Sequence, residues 1–172
     1  MEKERINQLI REIGENSIEA FEELYNGLRR PLISFVYSIV HSAADTEDIL
    51  HDTFLEVIEK SGKIRERANC FAWIFTIAHN KAINWKRKNA RVTYSDAVID
   101  PDERDTTDLA LQLEVNVALS RLSTREEQFV RMRYINGLSF AEIADLAKLK
   151  VDKVKYITYK AYAKLKKYLT VH

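Results

Sequence analysis

Two Ser/Thr-x-x-Glu segments in the last quarter of the chain limit its fold more than any other feature. Thr124-Arg125-Glu126-Glu127 and Ser139-Phe140-Ala141-Glu142 each read as a capping box. In such a box a hydroxyl and a glutamate three residues on satisfy N–H groups that a helix start leaves unpaired. Asn136-Gly137 between them is a turn signal. The second box opens a short helix whose Ile143, Ala144 and Ala147 are small and apolar, as close helix packing needs. After a break at Lys148-Leu149-Lys150, a longer helix is expected over residues 151–169. Ala144, a tight turn and Val154 form the skeleton of a helix-turn-helix, a unit that places its second helix in the major groove of DNA. Lys148 stands where this turn often uses glycine, so a left-handed backbone there costs about 1 kcal/mol.

The long helix divides into faces at about 100° per residue. Val154, Ile157, Ala161, Leu165 and Tyr168 make a core stripe. Lys153, Lys160, Lys164 and Lys167 line one flank, Lys155 and Lys166 the other, and Asp152, Tyr156 and Tyr159 look outward between them. Lysines on the flanks neutralise phosphates while the residues between them meet base edges. A merely solvated helix would carry the same lysines; the capped turn before it favours DNA.

Four glycines and two prolines in 172 residues, with few β-branched runs, point to an all-α protein. Hydrophobic content of 46% with 31% charged residues suits a folded chain. The net charge of +1 hides a segregation of acids and bases along the sequence. The lone Cys70 has no internal disulfide partner and reads as a buried small hydrophobe. Nothing resembles a signal peptide or a membrane span, so a cytoplasmic location is expected. Residues 91–108 read as a linker: Asp96, Asp100, Asp102, Glu103, Asp105 and Asp108 crowd around Pro101, with Arg91 and Arg104 the only bases. This predicts an N-terminal block over residues 1–90 and a C-terminal block over 109–172. The acidic segment is open to two readings, a solubilising tether or a strand occupying a groove built for nucleic acid.

The N-terminal block reads as a bundle of five helices. Ile6, Leu9, Ile10 and Ile13 mark the first, stopped by Gly14; Ser17 caps the second, with Phe21, Leu24, Tyr25 and Leu28 inward; Pro31 opens a third over 32–40. The fourth, over 45–60, turns Leu50, Phe54, Val57 and Ile58 to the core. Asp45, Asp48, Asp52 and Glu59 share its other face, with Glu56 beside them and Leu55 exposed among the acids. That face fits a basic partner helix, or plain solvation. The fifth, over 68–88, has Phe71, Phe75, Ala78, Ala82 and Trp85 as its core stripe. Trp73, Ile77, Asn80, Asn84, Arg87 and Lys88 fall on another side, after a basic loop carrying Lys60, Lys63, Arg65 and Arg67. Amides pair with base edges, aromatics stack on bases and cations grip phosphate, although Trp73 could equally be packing.

Three segments in order resemble a known family, the extracytoplasmic-function (ECF) group of bacterial sigma-70 factors, which give RNA polymerase its promoter choice. Asp45-Thr46-Glu47-Asp48 through His51-Asp52-Thr53-Phe54-Leu55-Glu56-Val57 looks like the family's region 2.2. Phe71-Ala72-Trp73-Ile74-Phe75 through His79-Asn80-Lys81-Ala82-Ile83-Asn84-Trp85 looks like regions 2.3 and 2.4. Leu119-Ser120-Arg121-Leu122-Ser123, with Arg131-Met132-Arg133-Tyr134 through Ser139-Phe140-Ala141-Glu142-Ile143-Ala144, looks like region 4.

The resemblance implies partners. Asp45, Glu47, Asp48, His51, Asp52, Leu55 and Glu56 would bind the β′ clamp helices of core RNA polymerase. Lys63, Arg65, Trp73, Asn80, Lys81, Asn84, Arg87 and Lys88 would open and read the −10 element. Asp152, Lys153, Lys155, Tyr156, Tyr159, Lys160 and Lys164, with Arg125, Arg133 and Ser139, would hold the −35 duplex. It also implies a contact with the β flap, a linker threading towards the polymerase channels, a dedicated anti-sigma factor, and no catalysis, cofactor or metal. Lys148, Asp152, Lys153, Tyr156 and His51 depart from the family's frequent residues, which leaves the promoter sequence open.

Two rival readings remain at this point. His51-Asp52, with His41, His79 and Asp96, loosely matches metal-dependent HD phosphohydrolases. A stand-alone helix-turn-helix regulator explains the C-terminal block but leaves the acidic stripe and the Trp73-Asn80-Asn84 face unused.

Overall fold

A computed structural model describes residues 1–64, 69–89, 114–115 and 117–170. The predicted linker at 91–108 and the predicted loop residues Arg65 and Arg67 lie outside the described residues. The chain divides into two compact units between residues 97 and 98, all-α in their described parts.

The first unit contains α1 (Lys3–Gly14), α2 (Ile18–Val40), α3 (Ala43–Ser61) and α4 (Cys70–Lys88). The starts of α2, α3 and α4 are fixed by side chains: Ser17, Ser42 and Asn69 accept from the N–H of Ala20, Asp45 and Ala72, respectively. Residues 18–40 form one helix, not the two expected on either side of Pro31. Proline inside a helix costs roughly 3 kcal/mol, because its ring crowds the preceding turn and one hydrogen bond is lost. Leu24, Leu28, Leu32, Phe35, Val36 and Ile39 nevertheless stay on a single buried stripe only if the helix runs straight through. At about 1.5–3 kcal/mol for each large side chain buried, the stripe outweighs the proline.

Aromatic rings fill the centre of this bundle. Phe35 meets Phe75 edge-on at 5.1 Å, Phe71 lies 4.8 Å from Phe75, and Tyr25 lies 4.9 Å from Phe54. Two glycines let α1 and α3 end against each other, since a Cβ on Gly14 would stand 3.0 Å from the Gly62 Cα. Ile74 and Ile77 are both buried. Ile74 adds to the core stripe of α4, and Ile77 moves from the expected nucleic-acid face into the bundle. Ile58 moves the other way and is 44% exposed. Buried Cys70 donates its backbone N–H to Asn7, as a packed position would.

The second unit has a helical stretch at 117–120, then α5 (Thr124–Val130), a π-helical turn (Arg131–Ile135), α6 (Phe140–Ala147) and α7 (Val151–Thr170). The first capping box is displaced by one residue. Ser123, not Thr124, caps α5, and Glu126, not Glu127, closes the box. Both pairings satisfy the same spacing; the one observed buries Phe129 and Val130. The second box stands as read, with Ser139 and Glu142 bonded reciprocally. Gly137 supplies the positive φ of 74° that the turn before it needs.

Lys148 takes the left-handed conformation, φ 54° and ψ 43°, at the end of α6. Ala144 and Val154 are buried where the helix-turn-helix helices cross. The core stripe of α7 is Val154, Thr158 and Ala161, with Ile157, Leu165 and Tyr168 half-buried. Thr158 hides its hydroxyl by donating to the Val154 carbonyl, which is why a polar residue passes for core.

Candidate functional site

On α3 the acidic face forms as a continuous exposed ridge. Glu47, Asp48, His51, Asp52, Leu55 and Glu59 are exposed, and Ile58 joins Leu55 as a second apolar contact among them. Asp45 is half-buried and receives the Ser42 hydroxyl, which ties it to the helix start. Glu47 pairs with Arg29 at 3.0 Å, an exposed contact on both sides. The ridge combines negative charge with a small apolar centre, a surface suited to a basic amphipathic helix.

Glu56 does something else. Its carboxylate lies 2.6 Å from Lys60 Nζ and 2.9 Å from Lys81 Nζ, and Lys81 belongs to α4. Hydrogen bonds from Lys60 and Lys81 hold the Glu56 carboxyl below its ordinary pKa against the effect of burial. One residue expected to bind polymerase and one expected to bind the −10 element are therefore partners within the unit. The pair fastens α3 to α4.

The remaining α4 positions form one row. Trp73 is half-buried, and Asn80, Asn84, Arg87 and Lys88 are exposed beside Thr76. Lys63, before the helix, is exposed; Arg65 lies outside the described residues. His79 turns inward, its ring 6.2 Å from Phe35, and burial lowers its pKa so that it is neutral near pH 7. The row is thus amide and aromatic in its middle and cationic at its end, where Lys86, Arg87 and Lys88 also complement the helix C-terminus.

In the second unit, Asp152, Lys153, Lys155, Tyr156, Tyr159 and Lys160 are all exposed on α7, and Arg125 is exposed on α5. Lys153 and Lys160 bracket the Tyr156 ring at 5.7 and 6.0 Å. Lys164, exposed on the same flank, is already paired within the unit. It donates to both Glu126 oxygens, at 2.8 and 3.0 Å, and fastens α7 to the start of α5. Lys164, with the Ser123 backbone, keeps the Glu126 carboxyl below its ordinary pKa despite burial.

Arg133 is likewise occupied. Its guanidinium lies over the Phe140 ring at 4.9 Å and donates to the Leu138 carbonyl at 3.3 Å. The Ser139 hydroxyl accepts the Glu142 N–H as the cap of α6. These three residues, expected at DNA, also make contacts that hold the unit together.

Sequence reasoning missed one surface altogether. An apolar groove of about 170 Å³ is lined by Val115, Leu119, Val130, Tyr134, Ile135, Tyr162, Leu165 and Leu169, among others. At about 100° per residue, its α7 residues lie on the side away from Tyr156. The signal was present: Tyr162 and Leu169 flank Leu165 on α7, and both are 51% exposed.

With these faces defined, comparison with known proteins identifies the fold. Residues 24–92 match the model of sigma-70 region 2, and residues 118–167 match that of sigma-70 region 4. The ECF sigma factor SigX of Bacillus subtilis is 26% identical over 163 residues, covering 88% of this chain and 84% of that one. Among solved structures, CnrH in complex with the cytosolic domain of CnrY shares 23% identity, with a TM-score of 0.69 over 97% of this chain and 98% of that one. RpoE of Bartonella quintana, solved with the anti-sigma factor NepR, shares 22% identity, with a TM-score of 0.72 over 90% and 99%.

The chain belongs to the sigma-70 family of RNA polymerase sigma factors, in its ECF group. It works with core RNA polymerase, directs transcription initiation by recognising promoters, and is not an enzyme. His51 and Asp52 accordingly sit on an open helix face, and among the described residues no group of three His, Cys, Asp or Glu converges to hold a metal.

The expectation of a purely cytoplasmic protein does not hold. In the CnrH structure the partner is the cytosolic domain of CnrY, a protein thus described as cytosolic in part, and RpoE also appears with an anti-sigma factor. A factor of this fold is therefore not assigned to the cytoplasm alone. Among the described residues no helix is long and apolar enough to cross a membrane.

Proposed function

We propose the following division of labour among the faces. The α3 ridge, with Glu47, Asp48, His51, Asp52, Leu55 and Ile58, docks onto the β′ clamp helices of core polymerase. The α4 row, with Trp73, Asn80, Asn84, Arg87 and Lys88 and with Lys63 before it, holds the opened −10 strand. Asp152, Lys153, Lys155, Tyr156, Tyr159 and Lys160 of α7, with Arg125, enter the −35 duplex. The apolar groove of the second unit receives the β flap, and an anti-sigma factor competes for these surfaces. Residues 1–90 and 109–172 act as the two binding modules, and 91–108 tether them. Two weak contacts on one tether become strong together once polymerase fixes their spacing.

The observation that carries this reading is the separation of charge within the first unit. An acidic ridge on α3 and an amide-aromatic-basic row on α4 occupy different faces of the same bundle, joined by Glu56–Lys81. The test is run-off transcription from genomic DNA with reconstituted polymerase. Asp48→Lys and Ile58→Asp should each abolish transcript initiation by weakening core binding, with the fold intact by circular dichroism. Trp73→Ala should spare core binding and block opening of the −10 region. Undiminished core binding by both α3 variants would refute the docking face.

A further inference from the structure

We propose that Tyr156 determines promoter specificity by selecting a thymine, through its 5-methyl group, in the −35 duplex. This rests on α7 being the duplex-reading helix, and specifies what that helix reads. Tyr156 is 60% exposed, the most exposed aromatic side chain among the described residues. It lies in the first two turns of α7, the part of a helix-turn-helix recognition helix that meets base edges.

Two of its neighbours also pack within the unit. Tyr159 packs edge-on against Phe140 at 5.6 Å, and Lys155 lies over that same ring at 6.0 Å. Among the described residues, Tyr156 touches no aromatic ring. Instead Lys153 and Lys160, one turn before and one turn after, place their ammonium groups 5.7 and 6.0 Å from its centroid. Those cations stand within cation–π reach of the ring and themselves seek phosphate or guanine acceptors. The part left for the groove floor is the ring's carbon edge and its hydroxyl.

In the major groove the thymine methyl is the one apolar base feature, and aromatic carbon meets it favourably. The nearby Asp152 carboxylate is an acceptor only and cannot take that role, because thymine offers O4, another acceptor. On α7, Tyr156 therefore presents the right surface at the right place, and it selects T·A over the other pairs.

The experiment uses holoenzyme reconstituted from this full chain and core polymerase. It is offered a promoter-length duplex pool randomised over the −35 zone, prepared once with thymine and once with uracil, which lacks only the methyl. Retained duplexes are sequenced. The thymine pool should show T enriched at one position by about fourfold, the discrimination expected from one buried methyl. That enrichment should fall to near unity in the uracil pool and for Tyr156→Ser, and should persist for Tyr156→Phe, which keeps the ring and loses the hydroxyl. Equal enrichment of uracil, or a thymine preference that survives Tyr156→Ser, overturns the proposal. Loss of the preference in Tyr156→Phe also overturns it and assigns the selection to the hydroxyl. Absence of any enrichment in the −35 zone, with initiation intact, instead removes α7 from the duplex and refutes the underlying reading.

Discussion

Replacing Glu56 by glutamine removes one charge from a carboxylate that touches two lysines and leaves its shape unchanged. The contact to Lys81 is 2.9 Å, with side chains 24% and 29% exposed, so solvent screens it only in part. The contact to Lys60 is shorter, but Lys60 is 55% exposed and one helical turn away. Exposed pairs contribute about 0.2–1 kcal/mol each and i,i+4 pairs about 0.3–0.5 kcal/mol. The Lys81 contact belongs near the top of its range and the Lys60 contact in the lower part, so the change costs about 1 kcal/mol in total. For a unit of this size that lowers the melting temperature by about 4–8 °C.

A cycle of Glu56→Gln, Lys81→Gln and the double variant should return a coupling of about 0.5–1 kcal/mol. The same experiment carries a pH signature. The Glu56 pKa is lowered in the folded state, so its stabilisation is complete above the unfolded glutamate value of about 4.3. It disappears as pH falls through the depressed folded value. The melting difference between wild type and Glu56→Gln should therefore be full at pH 7 and vanish in acid. Core polymerase affinity, measured by fluorescence anisotropy, should fall far less than in Asp48→Lys. A variant that melts like wild type but loses core binding as severely would show that Glu56 is a docking residue and that bracing α4 is not its role.

Three further outcomes follow from the same geometry. Lys164→Ala should destabilise the second unit by about 1 kcal/mol, seen as faster hydrogen exchange in α5 and α7, while the salt dependence of promoter binding stays that of wild type; a flatter slope would return Lys164 to the phosphates. Lys155→Ala and Lys160→Ala should do the opposite, each reducing the slope of log affinity against log salt by about 1 with no change in melting. Lys148→Gly relieves a left-handed lysine, so the second unit should gain up to about 1 kcal/mol in thermal melts of the full chain, and a loss of stability would mean that the Lys148 side chain makes an unrecognised contact.

Helix starts were legible because they are chemical events. Ser17 and Ser139 cap where the sequence places them, and Gly137 turns where the Asn-Gly pair says. The errors arise where two local solutions satisfy the same rule. Ser123 and Thr124 both precede a glutamate by three residues, and only the burial of Phe129 and Val130 separates them. Pro31 is a helix start by local preference and an internal residue by tertiary packing. Ile58 and Ile77 exchange expected faces because helical periodicity fixes relative angles and leaves the rotation of the whole stripe to its neighbours.

Among candidate site residues, the sequence places the charged faces but does not show which of their charges bind each other. Glu56 and Lys81 are 25 residues apart, and Lys164 and Glu126 are 38 apart. No short-range pattern connects either pair. The fold decides them.

That distinction explains how a chain of net charge +1 can carry strongly charged working surfaces. Inside each unit, opposite charges meet at the joints: Arg5 with Glu23 between α1 and α2, Lys81 with Glu56 between α3 and α4, and Lys164 with Glu126 between α5 and α7. What remains on the α3 ridge is mainly acidic, and what remains on the exposed side of α7 is mainly basic. Neighbouring like charges on one helix repel, by a few tenths of a kcal/mol per close pair, so each unit carries a small strain that only a partner of the other sign relieves. A protein whose cations and anions were all paired internally would be more stable and would bind neither polymerase nor DNA strongly. The ion pairs at the helix joints thus do two things at once: they hold the bundles together, and by using up matching charges they leave each outer face with one sign in excess.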